Sequence, residues 1–263
     1  PARRTVGRLR AAGLVVALLA ASLASVGPAV ADTVVLVRAG DSLSRIADEH
    51  GVTLADLMAA NGLTDPDLVR YTAQAGADWI GFVFAEASPR HVTEAAAANL
   101  LMQVGSATPV ALLVDPDDAQ IDRIVALGFP ILQLHGSESP ERVAEVKART
   151  RLEIWKAVGI ADSDDLKRAE AYTAADRLLV DAKPPKGADR TGGHGLSFDW
   201  NLLKGWQRPA PWILAGGLTP DNVSDAVRLT GAPAVDVSSG VERVRGLKDR
   251  VLVKTFIDAS KNS

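Results

Sequence analysis

The sequence contains no cysteine, and this absence excludes disulfide bonds, thiolate metal ligands and a cysteine nucleophile. Histidine is scarce as well. There are four histidines in 263 residues, and none forms the His-x-x-x-His pair that binds zinc from one face of a helix. We therefore expect no metal site.

A strongly basic surface is also missing. The 29 basic and 32 acidic side chains give a formal charge of -3, and no basic stripe carries interleaved aromatic residues. Nucleic-acid-binding surfaces need such a stripe because they contact phosphates. Nucleic acid is therefore not an expected partner. With 47% hydrophobic residues, the chain can bury one large core, or one core and a small module.

The apolar run within residues 1–31 is shorter than the about 20 residues that a membrane-spanning helix needs. Residues 1–31 do contain the three parts of a secretory signal peptide in the correct order. Four arginines between positions 3 and 10 form a basic head, an apolar run begins at Ala11, and Ala29-Val30-Ala31 is a small-residue cleavage pattern. We expect a signal peptide over residues 1–31, with an amphipathic terminal helix as the alternative.

The character of the sequence changes at Thr33. The β-branched run TVVLV predicts a strand, and the segments SLSRIADEH and TLADLMAAN carry apolar residues at helical spacing. The stretch VRAGDSLSRIADEHGVTLADLMAANGL resembles a LysM module, which implies binding of an N-acetylglucosamine glycan such as peptidoglycan or chitin. The closing segment of such a module is missing. We interpret residues 32–63 as a truncated LysM module, with a helical hairpin as the alternative.

After Thr64 the sequence alternates between apolar strand candidates and amphipathic helix patterns. The strand candidates begin at Asp78, Pro109, Pro130, Leu152, Arg177, Pro211 and Ala234. Near-continuous apolar strands between helices are typical of a parallel sheet that is covered on both faces. About seven strands predict an α/β fold, a (β/α)8 TIM barrel one strand short of eight. An open doubly wound sheet is the alternative, but no Gly-x-Gly-x-x-Gly motif follows an early strand.

The last two strand candidates both end in small, donor-rich loops. The first runs into Gly216-Gly217, followed by Thr219 as the expected helix cap and Pro220 as the first helical residue. The second runs into Ser238-Ser239-Gly240. Glycine allows a ligand to approach the backbone closely, and free N–H groups at a helix start favour an anion. The two loops together predict a phosphate site, with plain tight turns as the alternative.

Polar residues follow the ends of the strand candidates, where the active sites of barrels lie. The runs GADWIGFVFAEASPRHV, QLHGSESPE, LLVDAKPPKG, WILAGGLTPDNV and VDVSSGVE occur in order. Together they resemble phosphoribosylanthranilate isomerase of tryptophan biosynthesis. The resemblance implies a (β/α)8 barrel of the ribulose-phosphate-binding type over residues 62–263.

The resemblance further implies a cofactor-free Amadori rearrangement of N-(5'-phosphoribosyl)anthranilate to 1-(2-carboxyphenylamino)-1-deoxyribulose 5-phosphate. This reaction needs an acid that protonates the furanose oxygen and a base that removes the C2' proton. By their positions in the family motifs, Asp181 is the acid, Arg90 binds the anthranilate carboxylate and His135 lines the pocket. The phosphate would be bound by Gly216, Gly217, Ser238, Ser239 and Gly240.

Each of these side chains also has a structural interpretation. An ion pair of Asp181 with Lys183 or Lys186 would only order the following loop. Arg90 would be a surface residue in a Ser-Pro turn, and His135 would cap a strand end.

The sequence departs from the family at the general base. The family motif Lys-Ile-Cys-Gly-Leu-Thr aligns with residues 59–64, so that Asn61 stands where the catalytic cysteine is expected. An amide has no lone pair basic enough to remove a proton from carbon, and we therefore expect impaired activity. The helical spacing before Asn61 predicts that residues 53–61 are helical, so that the first barrel strand is missing or replaced.

Two functions from different classes remain. One is the isomerase with impaired activity, and the other is a secreted or envelope LysM-type glycan-binding protein with an inactive barrel. The isomerase substrate is made in the cytoplasm, whereas the signal peptide and the LysM segment indicate the cell envelope, so the two localisations conflict. Another ribose-phosphate barrel enzyme fits the phosphate loops, but not the SPRH and DAKPPK runs.

Overall fold

The computed structural model describes residues 65–183 and 198–262, the backbone of residues 15–18 and 33–36, and residues 45, 48 and 49. The chain divides into two compact units, Pro1–Asp65 and Pro66–Ser263. Asn61 and the helix predicted over residues 53–61 lie outside the described residues. So do most of the predicted signal peptide and most of the truncated LysM module.

The described part of the first unit contains an antiparallel pair of strands. Strand β1 (Val15–Leu18) pairs with β2 (Thr33–Leu36), with Val15 opposite Leu36. The strand predicted at Thr33 is thus confirmed, as its β-branched composition indicates. Strand β1 falls inside the apolar run that the sequence assigns to a signal peptide.

The second unit alternates strands and helices. Its elements are α1 (Pro66–Ala75), β3 (Trp79–Val83), α2 (Glu94–Leu101), β4 (Thr108–Leu113), α3 (Asp118–Ala126), β5 (Ile131–Leu134), α4 (Pro140–Thr150), β6 (Glu153–Ile160), α5 (Ser163–Ala169), β7 (Arg177–Ala182), β8 (Trp212–Leu214), α6 (Val223–Thr230), β9 (Glu242–Val244), β10 (Leu247–Lys248) and α7 (Arg250–Lys261). The side chains of Thr93 and Ser139 cap α2 and α4 by accepting hydrogen bonds from backbone N–H groups.

Strands β3 to β8 form one parallel sheet, and each strand pairs with the next along the chain. The sheet is curled. The rings of Trp79 on β3 and Trp155 on β6 lie 5.5 Å apart, and the Arg177 guanidinium on β7 lies 5.4 Å from the Trp79 ring. In a flat sheet, three strand spacings would separate β3 from β6 by about 14 Å. The curled parallel sheet with its helices confirms the predicted α/β barrel fold.

Both faces of the sheet are apolar, as expected when helices cover the outside and side chains fill the inside. On β5, Leu132 and Leu134 belong to the cluster under the helices, whereas Ile131 belongs to the interior cluster with Trp155. Because successive side chains alternate between faces, Gln133 continues the interior row toward the carboxyl end of the strand. This alternation places polar groups at the barrel mouth.

Among the described residues, no backbone pairing joins β3 to β8. Val83 on β3 is bridged by His91, and Leu214 on β8 is bridged by Val235. The strand candidate at Ala234 therefore contributes one bridge instead of a full strand, and that prediction was wrong in extent. The physical reason is that β8 is three residues long and Gly216, with φ of 85°, turns the chain away soon after it.

Candidate active site

Asp181, His135 and the Gly216 backbone lie together on one rim of the barrel. Asp181 stands near the carboxyl end of β7, and its Oδ2 lies 3.6 Å from Nε2 of His135, which follows β5. A Cβ atom added at Gly216, just after β8, would lie 3.0 Å from Asp181 Oδ1. The expected acid, the expected pocket histidine and the first glycine loop thus share the carboxyl-terminal mouth of the sheet.

Gln133 fixes the orientation of His135. The Gln133 amide nitrogen lies 2.8 Å from Nδ1 of His135, and Gln133 is buried. When the amide donates this hydrogen bond, Nδ1 is the acceptor and the ring proton of a neutral imidazole lies on Nε2. Nε2 is the atom that faces Asp181. The histidine therefore presents an N–H group to the carboxylate.

Lys183 does not form the ion pair with Asp181 that served as the structural alternative. Its Nζ donates to Oδ1 of Asp165 at 2.7 Å. Burial acts to raise the pKa of Asp165, but hydrogen bonds from Lys183 and from the Ala161 N–H outweigh it and hold that pKa below its usual 3.8. Lys186, the second alternative partner, lies outside the described residues. The carboxylate of Asp181 is left facing His135.

Asp236 is a second carboxylate in the same mouth. By surface area it is exposed, although neighbouring protein groups still reduce the solvation of its carboxyl. The resulting loss of solvation raises the pKa of Asp236, and the nearby Asp181 carboxylate raises it further, against the opposing charges of His135 and Lys248. Two carboxyl groups with coupled charges therefore share the mouth.

The two glycine-containing loops pack against each other backbone to backbone. A Cβ atom at Gly240 would lie 1.8 Å from the carbonyl oxygen of Leu218, and one at Gly216 would lie 2.6 Å from the Ala182 nitrogen. Gly216 and Gly217 both have positive φ, at 85° and 65°. A side chain at Gly240 would force the two loops apart, and one at Gly216 would clash with the backbone at the end of β7, so glycine is needed at both positions.

Helix α6 begins at Val223, and the prediction of a start at Pro220 was wrong. Asn222 is the reason. Its Oδ1 accepts a hydrogen bond from the Thr219 N–H at 2.8 Å, and its amide donates to the Gly217 carbonyl at 3.0 Å. These bonds close a turn over residues 219–222 in place of a first helical turn, and Thr219 is not the helix cap.

Arg90 lies half-buried in an ion-pair cluster instead of on an open surface turn. Its Nε and Nη2 donate to the two carboxylate oxygens of Glu242 at 2.6 and 2.8 Å. Lys248 donates to the same carboxylate at 2.9 Å. Burial acts to raise the pKa of Glu242, but Arg90 and Lys248 outweigh it and hold that pKa below 4.5.

A buried ion pair fixes the loops after β4 and β5. Lys156 Nζ and Glu138 Oε2 are 2.7 Å apart, and each side chain is only 2% exposed. Glu138 accepts hydrogen bonds from the backbone N–H groups of Asp115 and Gly136. Because Gly136 directly follows His135, this network holds the segment that carries the histidine.

Sequence reasoning missed three residues of this mouth: Gln133, Glu242 and Lys248. Gln133 has a readable signal, since a polar residue two positions before His135 on a strand points to the same face. No sequence signal marks Glu242, because its partner Arg90 lies 152 positions away in sequence. The β9–β10 hairpin that carries Glu242 and Lys248 was also not predicted.

Residues 65–183 and 198–262 contain no group of three His, Asp or Glu side chains arranged to hold a metal ion. In that same part of the chain, no helix has both the length and the apolar character needed to cross a membrane.

A curled parallel sheet, outer helices and titratable side chains at the strand ends define the class as a (β/α)8-barrel enzyme. The family model of N-(5'-phosphoribosyl)anthranilate isomerase matches residues 58–259. The chain belongs to this family. A second model, the LysM domain, matches residues 35–70.

Curated relatives agree with the family assignment. The chain is 61% identical over 202 residues to N-(5'-phosphoribosyl)anthranilate isomerase of Hyphomonas neptunium, covering 77% of this chain and 95% of the relative. It is 54% identical over 199 residues to the isomerase of Paracoccus denitrificans, covering 74% and 93%.

Solved structures agree as well. The phosphoribosyl anthranilate isomerase of Thermotoga maritima is 31% identical, with a TM-score of 0.68 over 77% of this chain and 97% of that one. A phosphoribosyl anthranilate isomerase solved with reduced 1-(o-carboxyphenylamino)-1-deoxyribulose 5-phosphate is 30% identical, with a TM-score of 0.66 over 77% and 96%.

Proposed function

We propose that the barrel of this chain is an N-(5'-phosphoribosyl)anthranilate isomerase of tryptophan biosynthesis. It would convert its substrate to 1-(2-carboxyphenylamino)-1-deoxyribulose 5-phosphate by an Amadori rearrangement without a cofactor. Family membership supports the reaction. The observation that carries the proposal for this chain is the position of Asp181, between the His135 ring and the Gly216 backbone on one rim.

In this proposal Asp181 is the general acid. It gives its proton to the furanose oxygen, the C1'–O4' bond breaks, and the nitrogen lone pair forms the C1'=N double bond. The Nε2–H of His135 then faces the carboxylate that has lost its proton, and stabilises its negative charge. Removal of the C2' proton gives an enolamine, which becomes the 2-keto sugar by proton transfer.

The two ends of the substrate would be bound by different parts of the mouth. The phosphate would lie against backbone N–H groups of the loops Gly216-Gly217 and Ser238-Ser239-Gly240. The carboxylate of the anthranilate ring would meet Arg90, whose planar fork suits a planar anion. His135 would line the pocket between them.

The general base is the weak point of this chain. Asn61 stands at the position of the family cysteine and cannot accept a proton from carbon at a useful rate. We therefore propose that turnover is reduced by about 10²- to 10⁴-fold. The loss concerns the proton abstraction and leaves the binding of the substrate intact.

We further propose three segments: a signal peptide over residues 1–31, a truncated LysM module over 32–63 and the barrel over 62–263. The two family models share residues 58–70, which supports a junction inside this stretch. At the junction the LysM module would lack its last strand and the barrel its first.

A second candidate function is favoured by the LysM match at residues 35–70. In this case the protein would be exported and would bind peptidoglycan or a chitin-type glycan, with the barrel as an inactive partner. Cosedimentation of the full chain with insoluble peptidoglycan or chitin tests this function. The isomerase function instead requires the cytoplasm, where the substrate is made.

The decisive experiment compares the purified full chain with its Asn61→Cys variant, both by steady-state kinetics and by growth of a tryptophan auxotroph that lacks the isomerase. We expect the variant to turn over about 10²- to 10⁴-fold faster. The double variant Asn61→Cys/Asp181→Asn is the control, and it should lose this gain.

Three outcomes separate the parts of the proposal. Normal growth with the unaltered chain contradicts the account of the base. If the faster turnover of Asn61→Cys persists after Asp181→Asn is added, the role of Asp181 as general acid is contradicted. Failure of both chains to isomerise the substrate contradicts the enzymatic function.

A further inference from the structure

Arg90, Glu242 and Lys248 form a cluster with one unbalanced positive charge. Two cations face one carboxylate, and the side chains are 11%, 4% and 26% exposed. Glu242 is saturated, because its Oε2 also accepts a hydrogen bond from the Gly246 N–H at 3.0 Å. Asp236 also interacts electrostatically with Lys248, so the charge of +1 belongs to these three hydrogen-bonded side chains alone. Such a largely buried group of charges favours the binding of one more anion.

Arg90 has donors left for that anion. A guanidinium carries five N–H groups, and Glu242 occupies one on Nε and one on Nη2. Within the described residues, no acceptor pairs with Nη1. The remaining N–H groups on Nη1 and Nη2 form an end-on fork, which fits a second carboxylate while the first stays in place.

Lys248 reaches from this cluster to the second glycine loop. Its Nζ donates to the carbonyl oxygen of Ser238 at 2.7 Å and lies 3.1 Å from the Ser238 hydroxyl. One ammonium group therefore touches both Glu242, which orients Arg90, and the loop expected to bind phosphate.

We propose that Lys248 is a positioning residue that couples the two anion subsites of the mouth. Its charge balances Glu242 so that Arg90 keeps a free positive charge for the substrate carboxylate, and its hydrogen bonds hold the Ser238 loop for the phosphate. This inference rests on the proposed function. A ligand that carries both a carboxylate and a phosphate is then bound at two sites that share one cation.

Calorimetry of the full chain tests the inference without any turnover, so Asn61 does not interfere. The probes are reduced 1-(o-carboxyphenylamino)-1-deoxyribulose 5-phosphate, which has both anionic groups, and inorganic phosphate, which has no carboxylate. Lys248→Met should weaken both ligands, the first by about 10- to 100-fold, as expected for a lost charged hydrogen-bond partner. Lys254→Met, at an exposed lysine on α7, should leave both affinities unchanged.

The double variant Lys248→Met/Glu242→Gln distinguishes charge balance from a general loss of structure. It removes one positive and one negative charge, so Arg90 again carries an unbalanced charge. We expect it to bind the two-anion ligand more tightly than Lys248→Met does, while inorganic phosphate stays weak because the Ser238 loop is not held. Lys248→Gln replaces the methionine variant if the latter does not fold.

The outcomes separate this inference from the function beneath it. Weak binding by Lys248→Met with partial recovery in the double variant supports the coupling. Unchanged binding by Lys248→Met, or no recovery in the double variant, overturns the coupling while the proposed function stands. If the unaltered chain fails to bind the two-anion ligand, the proposed function falls and the coupling falls with it.

Discussion

Among single residues, Gln133 fixes the tautomer of His135 at the barrel mouth through one hydrogen bond. It donates to Nδ1 of His135 and thereby leaves the ring proton on Nε2, opposite Asp181. Gln133→Leu removes the donor and leaves the tautomer unfixed. Measured in the Asn61→Cys background, we expect kcat to fall about tenfold with little change in KM, because the effect acts on proton transfer.

Two further measurements test this interpretation. Gln133→Glu, whose ionised carboxylate can only accept, should move the ring proton to Nδ1, and ¹⁵N NMR of the imidazole should report the change. Gln120→Leu on helix α3 is the matched control and should leave kcat unaltered. A Gln133→Leu enzyme with an unchanged Nε2–H signal and unchanged kcat would refute the role.

What the sequence reveals about this mouth depends on how far apart the partners lie. Arg90, His135 and Asp181 are readable because each follows a strand candidate and belongs to a short motif. The structure brings His135 and Asp181 together, as is expected for residues at the strand ends of one curled sheet. Glu242 and Lys248 are not readable, since the hairpin that carries them is short and pairs with Arg90 only in three dimensions.

Among structural elements, the contact between the two glycine loops is the feature most sensitive to a single methyl group. A Cβ at Gly240 would collide with the Leu218 carbonyl. Gly240→Ala must therefore separate the loops, and we expect a loss of about 1–3 kcal/mol in the free energy of unfolding, as for other overpacked sites. The affinity for inorganic phosphate should fall as well.

Urea denaturation and phosphate titration check the Gly240→Ala variant. Gly81→Ala on β3 is the control, since a Cβ there meets no atom within 4 Å and φ is not positive. Its free energy of unfolding should stay within about 0.5 kcal/mol of the unaltered chain. Equal phosphate affinity in the Gly240 variant would show that the loop packing does not shape an anion site.

The buried Lys156–Glu138 ion pair connects the loops after β4 and β5 to strand β6. Lys156→Met leaves a buried carboxylate without its cation, and we expect a loss of about 3–5 kcal/mol in the free energy of unfolding. Lys156→Met/Glu138→Gln removes both charges and should recover part of this loss. The measurement is urea unfolding of both variants.

The control for this pair is Lys167→Met, at a lysine whose side chain is 74% exposed beside Asp164. It should change the free energy of unfolding by less than about 1 kcal/mol. A Lys156→Met variant as stable as the Lys167 control would mean that the buried pair contributes no stability.

Elements were predicted best where composition and periodicity agree. Six apolar runs became β3 to β8. The failures have local causes. Asn222 bonds back to Thr219 and delays α6, and the bend at Gly216 shortens the pairing of β8 with Val235 to one bridge. Hydrophobic periodicity encodes neither the side-chain hydrogen bond of Asn222 nor the number of residues that pair between β8 and the Val235 segment.

At the scale of the whole molecule, the pairing of the two outer strands, β3 and β8, decides whether the barrel closes. Val83 and Leu214 are each bridged by one residue, His91 and Val235, and the described residues join β3 to β8 by no direct pairing. The isomerase family model begins at residue 58, inside the stretch that the LysM model also matches. If residues before the described barrel supply no strand, as the sequence predicts, both edges stay open, which reduces stability and invites association with other strands.

A grafted first strand tests the prediction that the barrel is weakened by the loss of its first strand. In the chimera, a family strand ending in Lys-Ile-Cys-Gly-Leu-Thr takes the place of residues 1–64, so that it can pair between β3 and the Val235 segment. Burial of two or three apolar side chains contributes about 1.5–3 kcal/mol each, which should raise Tm on the order of 10 °C. The same graft with proline at its centre is the control, because proline cannot donate to the sheet ladder. A chimera that melts at the temperature of its proline control would mean that the barrel gains nothing from this strand, and that the loss of activity we expect belongs to Asn61 alone.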